Sequence, residues 1–278
     1  MKNLPIYFMS GLPRSGSTLF LNLLAQDKNN HVTPTNDLIE LVVTTRNIWM
    51  NQQGFISQGL DVVQPRVENA IAGMIQGFYK DEFADGKRVV DKSRGWVAYI
   101  ELLEQILGQN CQMIVTIRDV RSIVASFEQI YRKSSMTFPT PTQDQFFNMQ
   151  TVDGRARSIL SPGGVVGRSI NIVRDVFSRG LQDRLSLIPY DAFCKEPQHV
   201  MNQLHNRLGW KQFDYNPDDV KQTTYESDLI YGMKLHGIRN KIVPNTTSES
   251  YVDVLPSETC EWIAAEYHDI NTLANNTA

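Results

Sequence analysis

The chain has 278 residues, a formal net charge of −3, 41% hydrophobic residues and 21% charged residues. This composition is typical of a globular protein, and the slightly negative charge argues against a nucleic-acid-binding surface. No apolar run approaches the ~20 residues that a membrane-spanning helix needs. Three widely spaced cysteines, Cys111, Cys194 and Cys260, predict reduced thiols rather than disulfides or a zinc site. We therefore expect a cytoplasmic protein without membrane or nucleic-acid partners.

The first predicted element is a buried strand that leads into a glycine-containing loop and a helix. Ile6–Met9 is an apolar run typical of a parallel strand that is covered on both faces. The loop from Gly11 to Gly16 follows, and a leucine-rich helix begins near Ser17. Backbone N–H groups at such a helix start bind phosphate. The loop matches the outer frame of a P-loop, but Ser17 stands where nucleotide triphosphatases have lysine, and its one cation is Arg14.

The segment PRSGSTLF, residues 13–20, resembles the 5′-phosphosulfate loop of sulfotransferases that use 3′-phosphoadenosine 5′-phosphosulfate (PAPS). It is most similar to the Golgi tyrosylprotein type, which reads PRSGTTL. The resemblance implies that Arg14 stabilises the transferring group and that no metal is needed, since PAPS has no β- and γ-phosphates. It also implies that the cofactor's 5′ end is bound by Arg14, Ser15, Gly16, Ser17 and Thr18.

The catalytic base is the open question in the next segment. Residues 27–36 predict a polar connection and residues 37–50 a helix. In the tyrosylprotein type, the glutamate that acts as base aligns near Thr35 of this chain. Asp37 and Glu40 are the nearest carboxylates, and either could take the acceptor's proton. Asp37 is the stronger candidate, although an aspartate at a helix start also complements the helix dipole.

A second cation follows the next predicted strand. Residues 51–64 predict a surface loop, residues 64–83 an amphipathic helix, and residues 88–91 a short strand. Lys92 therefore lies at the carboxyl end of a parallel strand, where α/β sheets bind ligands. This turn resembles the family position of a lysine that stabilises the transferring group. Cytosolic family members have a catalytic histidine two residues later, where this chain has Arg94.

A second phosphate motif follows the clearest buried strand of the chain, residues 112–117, which comes after a predicted helix over residues 96–107. Arg118 ends this strand, and Ser126 lies about two helical turns further on. An arginine fork and a hydroxyl that converge suit a terminal phosphate. The pair also resembles the family's 3′-phosphate motif, which implies that Arg118 and Ser126 bind the 3′-phosphate of PAPS.

The remaining part of the chain contains weaker signals. Residues 133–153 are rich in Ser, Thr, Pro and Gln and predict a long loop insertion, the kind that often forms a lid or an acceptor surface. Four further elements are predicted: a helix over residues 161–178, a strand over residues 185–188, a helix from Pro197 to Leu208 and a last helix over residues 257–273.

Two segments in the later part of the chain resemble features of the family. The exit of strand 185–188 resembles a block whose tyrosine lines the adenine pocket, which implies this role for Tyr190. A late basic loop closes the cofactor site in family members, and by order and chemistry its candidates are Ser227, Arg239 and Lys241.

The sequence predicts one α/β domain over residues 1–278, a P-loop-like three-layer sandwich with a mostly parallel sheet. The resemblance implies sulfuryl transfer from PAPS to a hydroxyl or amine of a carbohydrate, a peptide or a small metabolite. One alternative is a P-loop kinase or NTPase, for which Val89-Val90-Asp91 is a weak magnesium-site candidate. The other is a nucleotide-binding module that has lost catalysis.

Overall fold

Five parallel strands form the centre of the computed structural model, which describes residues 4–134, 149–227, 240–244 and 250–275. The order across this sheet is β2-β3-β1-β4-β5. The strands are β1 (Ile6–Gly11), β2 (Asn30–Thr35), β3 (Arg88–Lys92), β4 (Met113–Ile117) and β5 (Leu185–Pro189). Because all of them run the same way, the segments that follow them begin at one edge of the sheet.

Helices connect the strands and follow the last of them. The first half contains α1 (Ser17–Leu24), α2 (Leu38–Trp49), α3 (Gln53–Gln58), α4 (Leu60–Phe78), α5 (Lys80–Ala84), α6 (Ile100–Leu107) and α7 (Val120–Ser134). The second half contains α8 (Val152–Leu160), α9 (Val165–Ser178), α10 (Tyr190–Lys195), α11 (Pro197–Leu208), α12 (Tyr251–Val254), α13 (Ser257–Glu266) and α14 (His268–Asn275).

The sheet separates two hydrophobic cores, as expected for three layers. Alternate side chains of a strand point to opposite faces. Accordingly, Phe8 and Val89 belong to the larger core, while Met9 and Val90 belong to the smaller one. The larger core contains side chains of α2, α4, α6, α7 and α9, and the smaller core contains those of α1 and α11. The predicted α/β fold with a parallel sheet is confirmed.

The edge strand β2 corrects the prediction of a polar connection over residues 27–36. Among the described residues, Asn30–Thr35 pairs with β3 alone, and its register shifts between Val32 and Thr35. Its side chains are mostly half-buried, so it lacks the apolar run of an interior strand. Pro34 also argued against a strand, but proline is tolerated at an edge because the missing N–H costs no ladder bond.

Several helix boundaries also differ from the predictions. Residues 51–64 were predicted as a loop, but they form α3 and the start of α4, separated at Gly59. The helix predicted over residues 64–83 is two helices, α4 and α5, and the last predicted helix is likewise two, α13 and α14. Exposed helices have weak apolar periodicity, so their ends are poorly marked in sequence. Most of the predicted insertion, residues 135–148, lies outside the described residues.

Candidate functional site

The loop after β1 is held in place by Ser15, which is only 2% exposed. Its hydroxyl donates to the carbonyl oxygen of Leu12 at 2.5 Å and lies 2.7 Å from the hydroxyl of Thr116 on β4. The hydroxyl of Ser15 therefore fixes the loop to the neighbouring strand. Gly16 ends the loop with φ +81°, and the ring of Tyr190 occupies the space that a Cβ would need there. Only glycine satisfies both demands at the start of α1.

Arg14 joins the loop to the predicted 3′-phosphate motif. Its Nε donates to the hydroxyl of Ser126 at 3.1 Å, and its carbonyl oxygen accepts from Nη1 of Arg118 at 3.0 Å. The Arg118 guanidinium lies 4.4 Å from the ring centroid of Tyr190. Four predicted binding residues from β1, β4, α7 and α10 therefore meet at one place.

The Nε atom of Arg118 is buried and has no hydrogen-bond partner among the described residues. A buried guanidinium N–H without a partner is costly, and natural proteins rarely keep one unless a ligand or a water satisfies it. An anion with several acceptor oxygens, such as a phosphate, would satisfy it. The site is therefore chemically suited to a phosphate group beside Arg118.

Lys92 ends β3 on the side of the smaller core, beneath the start of α1. Its Nζ donates to the hydroxyl of Thr18 and to Oε1 of Glu226, both at 3.3 Å. The Lys92 and Glu226 side chains are 9% and 7% exposed. Burial lowers the pKa of Lys92, and the attraction and hydrogen bond of Glu226 oppose that change.

Glu226 is the residue of the site that sequence reasoning missed. Its Oε1 accepts from the backbone N–H of Thr35 at 2.7 Å and from the hydroxyl of Thr35 at 2.9 Å. It thus reaches the end of β2 from a polar segment near the end of the chain. No local pattern marks it, and the one usable signal was the missing carboxylate at Thr35 itself.

The segment that carries Glu226 is anchored to α1 by Asn22. The amide Nδ2 of this buried residue donates to the hydroxyl of Thr224 at 3.0 Å, and its Oδ1 accepts from the hydroxyl of Thr223 at 2.9 Å. Thr224 is itself buried. The helix that follows the phosphate loop therefore also positions the late acidic residue.

The other side of β3 holds a separate buried polar cluster around Asp91. Its carboxylate accepts from Nε1 of Trp96 at 2.6 Å, from Nδ2 of Asn36 at 2.7 Å and from the hydroxyl of Tyr79. Burial raises the pKa of Asp91 to about 6, although all three hydrogen bonds lower it. This carboxylate is occupied within the fold, on the face away from Lys92.

The remaining predicted site residues lie as follows. Asp37 is the exposed N-cap residue of α2, and Glu40 is exposed on the same helix. Ser227 is half-buried next to Glu226, and Lys241 forms an exposed ion pair with Asp218 at 2.5 Å. Arg239 lies outside the described residues. These assignments stay predictions.

Neither a metal-binding cluster nor a membrane-spanning helix occurs among the described residues. Within these ranges no three His, Cys, Asp or Glu side chains are grouped so that they could hold a metal ion. Over the same residues, no helix combines the length and the apolar character that crossing a membrane requires.

Comparisons with known proteins identify the family and the fold. A family model described as "Sulfotransferase family" matches residues 5–214, more than half of the chain. No curated protein sequence matches this chain. The sulfotransferase domain of the Synechococcus PCC 7002 olefin synthase is 16% identical with a TM-score of 0.52, and 96% of each chain is covered.

Two other solved structures are similar at comparable levels. Sulfotransferase STF9 from Mycobacterium avium is 14% identical, with a TM-score of 0.50 over 97% of this chain and 77% of that one. Mouse sulfotransferase SULT7A1, complexed with PAP, is 11% identical, with a TM-score of 0.50 over 98% and 86%. At these identities the similarities establish the fold.

Proposed function

The chain belongs to the sulfotransferase family, and from this premise we propose that it transfers a sulfuryl group from PAPS to a hydroxyl or amine acceptor. The acceptor is a carbohydrate, a peptide or a small metabolite. The observation that carries the choice of cofactor is the buried, unpartnered Nε of Arg118 beside the loop arginine Arg14. It fits a ligand that places a second phosphate away from the helix start.

The residues of the loop and of β4 would hold the two ends of PAPS. Backbone N–H groups at the start of α1 and the hydroxyl of Thr18 suit the 5′-phosphosulfate arm. Arg118 and Ser126 suit the 3′-phosphate, and the Tyr190 ring suits the adenine. Ser227, Arg239 and Lys241 remain our candidates for closing the cofactor site. Ser15, Gly16 and Ser17 complete the predicted cofactor-binding set, with the Ser15 hydroxyl fixing the loop.

Two cations of the chain do the electrostatic work of the reaction. When bound, PAPS supplies the sulfuryl group and a 5′-phosphate that leaves with the bonding electron pair. Lys92 and Arg14 neutralise the negative charge on the moving sulfuryl group and on the leaving 5′-phosphate, because preorganised charges in a buried site stabilise a transition state strongly. The contacts of Lys92 with Thr18 and Glu226 support this role, because they fix its ammonium group near the start of α1.

The kinase alternative is less favourable on two counts. Ser17 replaces the lysine that a P-loop kinase directs at the β- and γ-phosphates. Asp91, the candidate magnesium ligand, accepts three hydrogen bonds on the opposite face of β3. The non-catalytic alternative is less favourable because the buried Lys92–Glu226 pair provides charges suited to catalysis.

We also propose that the chain forms one sulfotransferase-like domain and acts in the cytoplasm. In support of one domain, α14 from the end of the chain packs against β4 and β5. In support of a reducing compartment, Cys111, Cys194 and Cys260 are free thiols.

Thermal stabilisation by PAP (adenosine 3′,5′-bisphosphate) tests the proposed cofactor. A ligand at a hundred times its Kd adds ~2.7 kcal/mol to stability, which is an easily measured rise in Tm. We expect a rise with PAP that exceeds the rises with AMP and with ATP plus magnesium. Arg118→Ala should abolish the PAP effect, whereas Arg46→Ala, on the exposed face of α2, should not. A larger rise with ATP plus magnesium would overturn the proposal in favour of a kinase.

A further inference from the structure

We propose that Glu226 is the general base of the reaction, the group that takes the proton from the acceptor as the sulfuryl group arrives. This inference rests on the proposed function. The role is assigned from geometry, since Glu226 lies far along the chain from Lys92 and Thr35. Its carboxylate contacts the ends of β2 and β3, and Lys92 of β3 also contacts Thr18 at the start of α1.

The position of the carboxylate is the first part of the argument. Glu226 binds both the backbone N–H and the hydroxyl of Thr35. The same oxygen is 3.3 Å from Nζ of Lys92, which in turn contacts Thr18 at the helix start. Only the side chain of Lys92 separates the carboxylate from the start of α1, where the phosphosulfate would bind. The carboxylate is therefore close enough to contact a nucleophile that attacks the sulfuryl group.

The charge state is the second part. The ammonium of Lys92 lies in direct contact and favours the carboxylate form of Glu226, which is the form that can accept a proton. Arg94 adds further positive charge near Lys92. Thr35 and Thr18, the other neighbours named above, are neutral.

Preorganisation is the third part, and it separates Glu226 from the two earlier candidates. Asp37 and Glu40 are exposed to solvent on α2, so their side chains must be ordered when the acceptor binds. Glu226 is 7% exposed and already oriented by three donor atoms. Glu226 thus brings a carboxylate from another part of the chain to Thr35, the position near which the base of the tyrosylprotein type aligns.

The transfer step balances with this assignment. The O–H or N–H bond of the acceptor breaks and its proton moves to the carboxylate of Glu226. The acceptor atom forms a bond to sulfur as the bond from sulfur to the 5′-phosphate oxygen breaks. The electron pair of that bond leaves on the phosphate oxygen, whose negative charge Lys92 would neutralise. Glu226 later releases the proton to water, and no oxidant or reductant is required.

Glu226→Gln tests the base, with PAPS as the donor and water as the acceptor, so that no natural acceptor is needed. We expect the release of PAP to fall by at least ~100-fold, as is usual when a general base is lost. The Kd for PAP, measured from melting curves, should change by less than about threefold. The acidic limb of the pH–rate profile of the wild type should also disappear. Glu258→Gln, an exposed glutamate on α13, is the matched control and should leave all of these unchanged.

A relocated carboxylate gives a second, independent readout. In the double variant Thr35→Glu with Glu226→Gln, the new side chain starts from the residue that Glu226 now contacts. We expect this double variant to release PAP at least tenfold faster than Glu226→Gln alone. A purely structural role of Glu226, as an anchor of its segment, predicts no such rescue.

The outcomes separate the base from the broader function. Three outcomes would overturn the role of Glu226 as base and leave the sulfotransferase function intact. They are full turnover by Glu226→Gln, a loss of turnover in Asp37→Asn instead, and tighter PAP binding with faster turnover by Glu226→Gln. Absence of PAP binding by the wild type would overturn the proposed function itself. PAP binding without turnover by the wild type would overturn both the base and the catalytic function.

Discussion

Asp91 and Lys92 are neighbours at the end of β3, yet their side chains lie on opposite faces of the sheet in two different kinds of polar cluster. Asp91 accepts hydrogen bonds from Tyr79, Trp96 and Asn36, all within the fold. Lys92 contacts Thr18 and Glu226 at the helix start that suits phosphate. Both groups are buried. Burial raises the pKa of Asp91 and lowers the pKa of Lys92, so in each case it favours the neutral form.

The two clusters differ in whether their charged groups can interact with a ligand. The Asp91 cluster is fully enclosed by its own donors, as a polar group inside a core must be. The Lys92 cluster stands where the loop, β2 and the late segment meet, so its charges can act on a ligand. We therefore expect the Lys92 cluster to serve the reaction and the Asp91 cluster to stabilise the fold, and three substitutions or titrations can test this difference.

The largest expected effect is on turnover, from Lys92→Ala. Loss of this cation removes charge stabilisation from the transition state and leaves Glu226 without its ion pair. We expect turnover to fall by ~10²–10³-fold and the affinity for PAP by less than about tenfold. Rates of PAP release and melting shifts with PAP measure the two quantities. Lys87→Ala, an exposed lysine, is the control, and equal losses in rate and affinity would reduce Lys92 to a binding role.

The next effect is on stability, from the titration of Asp91. Its pKa is raised from 3.8 to about 6 in the folded state, so folding favours its protonated form. The stability it contributes is therefore complete below about pH 4 and is lost as the pH rises through about 6, by up to ~3 kcal/mol. Urea unfolding at pH 4, 5, 6 and 7 measures this as the difference between wild type and Asp91→Asn. A difference that does not change with pH would show that Asp91 stays ionised.

The smallest effect is expected from Tyr79→Phe. This change removes one donor from the buried Asp91 carboxylate, which costs ~1–3 kcal/mol of unfolding free energy at neutral pH. Turnover per folded molecule should stay within about twofold, because the Lys92 side of the strand is untouched. Tyr99→Phe, at a partly buried tyrosine beside the same core, should cost less than half as much. A large loss of turnover without loss of stability would mean that the two faces of β3 are coupled.

Most of the fold could be predicted from local sequence because the three interior strands and the edge strand β5 are marked by short apolar runs. β1, β3, β4 and β5 are short apolar runs followed by turn residues or cations, and each was predicted as a strand. β2 was missed because an edge strand needs no apolar run and tolerates a proline. α3 was missed because its surface is almost wholly exposed, which removes the periodicity that marks a helix.

The candidate site could be predicted only where its residues follow a strand directly. Arg14, Lys92 and Arg118 each come at or just after a strand end, so their meeting at one edge follows from parallel topology. Glu226 follows no strand, and its place depends on the hydrogen bonds of Asn22 with Thr223 and Thr224. Contacts of this kind join residues far apart in the chain and leave no local pattern.

The irregular edge strand β2 also has a consequence for how copies of the chain meet one another. An open sheet edge is a template on which a strand from another molecule can be added, and such additions lead to aggregation. In β2, Pro34 offers no N–H, the register is interrupted before Thr35, and the N–H of Thr35 is directed to Glu226. The interruption that brings β2 into the site thus also makes this edge a poor template for an added strand.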